Sequence, residues 1–241
     1  MKITEEYIED LFIRFFTNPN LYCNDMKKFF GQVKKMYWYY LDMEKNSQIP
    51  SKIGMKNFLN EIKIHLLELL PEGININKEF EKWNRYCQFA PRIKVILLDP
   101  TMTYVVLTKG VFNNSLIFPG GKVEDNDTSL VEAAIRETYE EIGIDITDRI
   151  DEQLYFDLPQ YGINNRYFLI PNFDMNIFMQ PNVPNEVEYI RWFPLKDLPN
   201  VPKGYDLEEK DMKLIIESVS RLKTILKNSR NLSLVFSQIR I

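Results

Sequence analysis

Glu137, Glu140 and Glu141 stand at i, i+3 and i+4 in the run Arg136-Glu137-Thr138-Tyr139-Glu140-Glu141-Ile142-Gly143-Ile144. On a helix this spacing puts three carboxylates on one face, where like charges repel. A bound cation relieves that repulsion. Carboxylate oxygens are hard ligands that suit Mg²⁺ or Mn²⁺, and such ions bridge phosphates and lower the pKa of bound water. Gly120 and Gly121 precede the run and let backbone approach a phosphate. Lys109 and Lys122 flank this loop and are placed either to touch phosphate or simply to face solvent.

The element that must carry the glutamates is legible. Ser129 followed by Glu132 forms a capping box, so a helix is expected to start there. Leu130, Ala133, Ala134 and Ile135 supply its apolar side, and Gly143 is suited to the left-handed conformation that ends a helix. The helix is therefore expected over about Ser129 to Ile142, with the glutamates on its last turns.

Phe118 to Asp145 as a whole resembles the Nudix box, G-x5-E-x7-R-E-U-x-E-E-x-G-U, where U is aliphatic. Gly121, Arg136 and Gly143 match its fixed structural positions. Asp127 stands where the pattern has Glu, one extra residue precedes Arg136, and Thr138 replaces an aliphatic residue. The insertion falls in the loop before the helix and leaves the glutamates in register. The resemblance implies a hydrolase of nucleoside diphosphates linked to another group. It implies metal ligands at Glu137, Glu140 and Glu141, with Arg136 orienting Glu137 or Glu140.

The rest of the chain divides in two. Ile8, Leu11, Phe12, Phe15 and Phe16 follow helical spacing, and Asn18-Pro19 breaks it. Further helices are expected over about 24–42, 56–70 and 78–87. After Pro91 the pattern turns to strands: Ile93 to Leu98, Tyr104 to Leu107, and shorter ones near Leu154–Leu158, Arg166–Ile170 and Val187–Phe193. A last helix is expected over about Asp206 to Lys227. The predicted class is α+β: an all-α domain over 1–90, then an α/β/α sandwich over 91–241 with a C-terminal helix.

The helical part narrows the resemblance. Glu9-Asp10-Leu11-Phe12-Ile13-Arg14-Phe15, Gln32 to Asp42 and Gly54 to His65 resemble, in order and spacing, the N-terminal regulatory domain of the mRNA-decapping enzymes. That similarity continues through Val106 to Gly110 and Glu186 to Trp192. It implies cleavage of the 5′ cap of mRNA, with release of 7-methylguanosine diphosphate and 5′-monophosphate RNA. It implies Glu186 as general base, with Glu188 two residues on as a competitor for that role. Trp38 and Asp42, one helical turn apart, would read the cap: an indole stacks on a cationic methylated guanine at about 2 kcal/mol when desolvated, and the carboxylate accepts its N–H groups. The residues alone, Trp38 amid Tyr37, Tyr39 and Tyr40, favour a core position for it. Arg221, Lys223 and Lys227 match a basic RNA-binding helix. The Leu11-Arg14-Phe15 face resembles the docking site of a decapping-activator subunit. The pattern's Phe-Pro-Lys/Arg-Gly-Lys loop has Gly120 in place of its basic residue. That departure leaves a free-nucleotide pyrophosphohydrolase as an alternative, beside a non-catalytic RNA-binding module.

Composition sets the remaining bounds. The 241 residues carry a net charge of −4, which argues against a general nucleic-acid coat. From Ser218 to Ile241 there is no acid, while Arg221, Lys223, Lys227, Arg230 and Arg240 are basic. No apolar run reaches membrane-spanning length, and the acidic N-terminus lacks a signal-peptide core. A cytoplasmic protein without membrane contact is expected. Cys23 and Cys87 read as buried thiols, and the lone His65 as a core or capping residue without catalysis.

Overall fold

The computed structural model describes residues 3–18, 24–46, 53–110, 115–160, 162–183, 187–200 and 209–239, with side chains at all of these but 42, 44–46, 209–211 and 229–239. The chain forms two compact units, Met1–Phe89 and Ala90–Ile241.

Among the described residues the elements of the first unit are helices: α1 Glu5–Phe15, α2 Met26–Asn46, α3 Met55–Glu61, α4 Lys63–Glu68 and α5 Ile76–Phe89. The heptad-like apolar spacing buries one stripe of each helix. Phe29, Phe30, Val33, Met36, Phe58, Leu59, Ile62 and Leu66 are fully buried together. Each large side chain there contributes roughly 1.5–3 kcal/mol of transfer free energy. Phe30 packs at a tilt against Phe80 and Trp83 and ties α2 to α5. The helix expected over 56–70 is two helices. The chain breaks at Ile62, whose φ of −95° and ψ of 4° leave the helical region. The apolar stripe continues through the break, so periodicity alone does not reveal it. His65 is half-buried and lies 2.8 Å from the Glu5 carboxylate, linking α4 to α1. Cys87 is half-buried rather than buried, and Cys23 lies outside the described residues.

Among its described residues the second unit holds two three-stranded sheets. In one, β1 (Arg92–Leu97) pairs in parallel with β5 (Ile163–Ile170), which pairs antiparallel with β4 (Tyr155–Gln160). In the other, β2 (Tyr104–Gly110) lies antiparallel to both β3 (Leu116–Ile117) and β6 (Val187–Pro194). Helix α6 spans Leu130–Ile142; a 3₁₀ segment, Glu209–Ile215, leads into α7, Ile216–Ile239. The final helix thus starts later than expected, behind a tighter turn.

Strand alternation makes the layers. Ile93, Val95 and Leu97 of β1 face a core with Ala133, Ala134 and Ile142 of α6. Ile96 and Leu98 face the opposite core with Val219, Leu222 and Leu226 of α7. Helix, sheets and helix make the α/β/α sandwich, so the class is α+β. Asp99, 2% exposed, closes the β1–β2 turn by accepting from the backbone of Thr101, Thr103 and Tyr104 at 2.6–2.9 Å.

Candidate active site

Helix α6 forms as its sequence demands. Ser129 caps it, its Oγ accepting from the Glu132 N–H at 3.0 Å, and Glu132 accepts in return from the Thr128 backbone at 2.6 Å. Gly143 ends it in the left-handed region at φ 74°. Glu137 and Glu141, one turn apart, are buried at 8% and 9% exposure, whereas Glu140 is half-exposed.

Burying two carboxylates costs several kcal/mol each unless they are compensated. Arg136 supplies much of the compensation. It donates to Glu137 at 2.8 Å and to Glu140 at 3.4 Å. The same guanidinium holds Asp127 in a two-point pair at 2.9 Å for each bond, and donates to the Lys122 carbonyl at 3.1 Å. Burial opposes the Arg136 charge, yet the bonds to Asp127 and the nearby Glu137 hold its pKa above the ordinary value. Asp127 is held below the carboxylate range because Arg136 and the Glu124 amide outweigh its burial. Glu137 is pushed up by burial, against the pull of Arg136.

The Pro119-Gly120-Gly121 loop lies along the free edge of β1. The Val95 amide donates to the Pro119 carbonyl at 2.7 Å, and the Ile93 amide to the Gly121 carbonyl at 3.0 Å. Gly120 sits at φ 128°, where a Cβ would overlap the Ile93 carbonyl; a Cβ at Gly121 would overlap the Glu137 carboxylate. Only glycine allows helix, loop and strand to meet this closely. The Gly120 amide donates to Glu141 Oε2 at 2.9 Å. Lys94, set between the buried Ile93 and Val95 of β1, donates to the Gly120 carbonyl. Desolvation lowers its pKa, and Glu141 and Glu137 draw it back up.

A cavity of about 280 Å³ opens beside this loop. Its walls include Arg92, Lys94, Phe118, Asn165 and Tyr167, with Ile215 and Ser218 across from them. Burial pushes the Tyr167 phenol up to about 12.

The donor chemistry of the helix fits a divalent cation: three hard carboxylates share one face, and burial and the Glu140 charge both disfavour a bare charge on Glu137. Among the described residues no three acidic, His or Cys side chains converge as a ready-made metal cluster. The carboxylates are turned instead to Arg136 and the Gly120 amide. Glu137, Glu140 and Glu141 would hold the ion by exchanging those partners.

The other predicted residues lie as follows. Lys109 on β2 pairs loosely with Glu188 on β6, at 3.8 Å. Lys122 is half-buried at the end of the loop, where its backbone pairs antiparallel with that of Arg92. Glu186 lies outside the described residues. Trp38 is half-buried, with the Lys34 ammonium 3.9 Å from its ring centroid, and it is not among the residues of the helical core. Asp42 is on the same helix, one turn on; its side chain is not described. Arg221 and Lys227 are exposed on α7, whereas Lys223 is half-buried and donates to the Leu198 carbonyl at 2.5 Å. Sequence reasoning gave Asp127 no role and overlooked Lys94. The signal for the first was its place at the pattern's glutamate. The signal for the second was a charge in a buried strand.

Comparison with known proteins agrees with this geometry. Residues 6–86 match the family model described as the Dcp2, box A domain, and residues 88–213 match the NUDIX domain model. The chain is 32% identical over 204 residues to the mRNA decapping complex subunit 2 of Schizosaccharomyces pombe, covering 83% of this chain and 27% of that one. It is 29% identical over 208 residues to an m7GpppN-mRNA hydrolase of Caenorhabditis elegans, covering 82% and 26%. It thus spans about a quarter of the length of these relatives. Among solved structures, a Caenorhabditis elegans Ap4A hydrolase complex is similar at a TM-score of 0.43 and 17% identity, over 58% of this chain and 98% of that one. Since the matched span from residue 88 to 213 covers more than half of the 241 residues, the chain belongs to the NUDIX domain family.

Proposed function

We propose that this chain removes the 5′ cap of mRNA, hydrolysing the triphosphate bridge to release 7-methylguanosine diphosphate and 5′-monophosphate RNA. The observation that carries this reading is the presence on one chain of a box A match over 6–86 and a Nudix match over 88–213. Nudix hydrolases in general use a divalent metal, and Mg²⁺ or Mn²⁺ is proposed here. When bound, the ion supplies a Lewis acid for phosphate oxygens and a water of lowered pKa.

The chain's own residues do the rest. Glu137, Glu140 and Glu141 hold the ion, and Arg136 keeps Glu137 and Glu140 oriented through its bonds of 2.8 and 3.4 Å. Glu186 takes the proton of the attacking water. Lys109 and Lys122 meet phosphate oxygens. Trp38 stacks on the cationic base, a role supported by the Lys34 ammonium already lying over its ring, and Asp42 accepts the guanine N–H groups. Arg221 and Lys227, both exposed, meet the RNA backbone without sequence preference. Lys223 contributes charge while tied to Leu198. A decapping-activator subunit docks on the N-terminal unit. The protein works in the cytoplasm and off membranes, and no helix among the described residues is long and apolar enough to cross one.

Rates on capped RNA, on free cap dinucleotide and on free nucleotides, each with Mg²⁺ or Mn²⁺, test the substrate. Capped RNA is expected to be turned over fastest. Faster turnover of free nucleotides would establish the small-nucleotide reading that the Gly120 loop leaves open.

A further inference from the structure

Three consecutive loop carbonyls meet β1, but only two of them join its ladder. Pro119 and Gly121 accept from the amides of Val95 and Ile93. The Gly120 carbonyl between them points to the other side, as carbonyls alternate along extended chain. A carbonyl left out of a ladder in a closed site needs another donor. The Lys94 ammonium is that donor. The amide of the same glycine donates to Glu141 Oε2 at 2.9 Å. Lys94 thus grips one side of Gly120 while the other side grips a glutamate of the acidic helix.

We propose that Lys94 is a positioning residue: by bonding the Gly120 carbonyl it fixes the loop so that the Gly120 amide presents Glu141 in a single orientation. Its ammonium comes from the strand and lies against a loop whose Gly120 has no side chain of its own. The inference rests on the reading of Glu141 as a cation ligand, but its central contact is measured without cation or substrate. Lys94 also lines the 280 Å³ cavity.

The test compares Lys94→Met, which keeps the length and loses the donor, with Lys94→Arg, which keeps a donor. Amide exchange is read by NMR on the metal-free full chain, alongside kcat and KM on capped RNA. In Lys94→Met the Gly120 amide is expected to exchange roughly tenfold faster, while the β2–β6 amides keep their protection. The kcat is expected to fall roughly 10–100-fold with KM little changed. Lys94→Arg is expected to restore both readings. Unchanged Gly120 exchange in Lys94→Met would overturn the proposal. So would equal loss of protection across both sheets in the two variants, which would make Lys94 a general packing residue. Should Lys94→Met fail to fold, Lys94→Arg decides: a protected Gly120 amide supports the tether and an unprotected one refutes it. A Gly120 response in a protein that does not turn over capped RNA would keep the tether and reject the substrate reading.

Discussion

Arg136 acts as the hub of the acidic site, because one guanidinium serves Asp127, Glu137 and Glu140. Asp127 looks like a flaw in the motif when read as sequence, but its side chain is 4% exposed and pairs with Arg136 at two points. The shorter acid keeps the pairing because the loop, one residue longer, carries it to the guanidinium. Arg136→Met strands two buried carboxylates. Removing one partner of a fully buried pair costs about 3–5 kcal/mol; with Arg136 a quarter exposed, about 2–4 kcal/mol is expected. Urea unfolding of the second unit measures this, and a loss below 0.5 kcal/mol would deny the hub. Asp99 gives a pH prediction away from the site. Burial raises its pKa, but bonds from Thr101, Tyr104 and Thr103 win and hold it below the ordinary value. An acid with a depressed folded pKa stabilises above its unfolded pKa of about 4 and loses that stability as pH falls through the folded pKa. Melting temperature is therefore expected to fall steeply below about pH 4, and Asp99→Asn to flatten that acid limb while lowering stability at neutral pH.

At the scale of elements, the legible parts were those with local causes. Helix α6 follows from Ser129, Glu132, the Ala133-Ala134 face and Gly143, all within reach of one another along the chain. The core strands follow from β-branched runs such as Ile93 to Leu98. What stayed hidden depended on distant partners. The two-residue strand β3 is defined only by its pairing to Thr108 and Lys109. The break at Ile62 lies inside an unbroken apolar stripe. The contacts of Lys94 with Gly120, and of Arg136 with Asp127, join residues 26 and 9 positions apart. Gly143 shows a local signal with a second, nonlocal cause: besides φ 74°, a Cβ there would lie 2.6 Å from the Gln180 carbonyl. Gly143→Ala is expected to destabilise by about 1–3 kcal/mol through strain and overlap, measured by thermal unfolding. A neutral result would mean that the backbone at Gln180 yields freely.

At the scale of the molecule, two units with separate cores sit on one chain, and each matches a different family model. The acidic helix and the loop belong to the second unit; Trp38 and Asp42 belong to the first. A Nudix unit by itself specifies metal-assisted cleavage of a diphosphate bond. The helical unit supplies the argument for capped RNA over free nucleotides. The released product therefore separates the two substrates, and a single assay reads it. RNA labelled in its 7-methylguanosine cap is incubated with the protein and Mg²⁺ or Mn²⁺, beside an EDTA control and the Glu140→Gln variant, and the labelled product is identified. Release of 7-methylguanosine diphosphate is expected, abolished by EDTA and reduced at least ~100-fold in Glu140→Gln, since a metal contributes several kcal/mol to such a step. Release undiminished in that variant, or a labelled product other than the diphosphate, would contradict this reading.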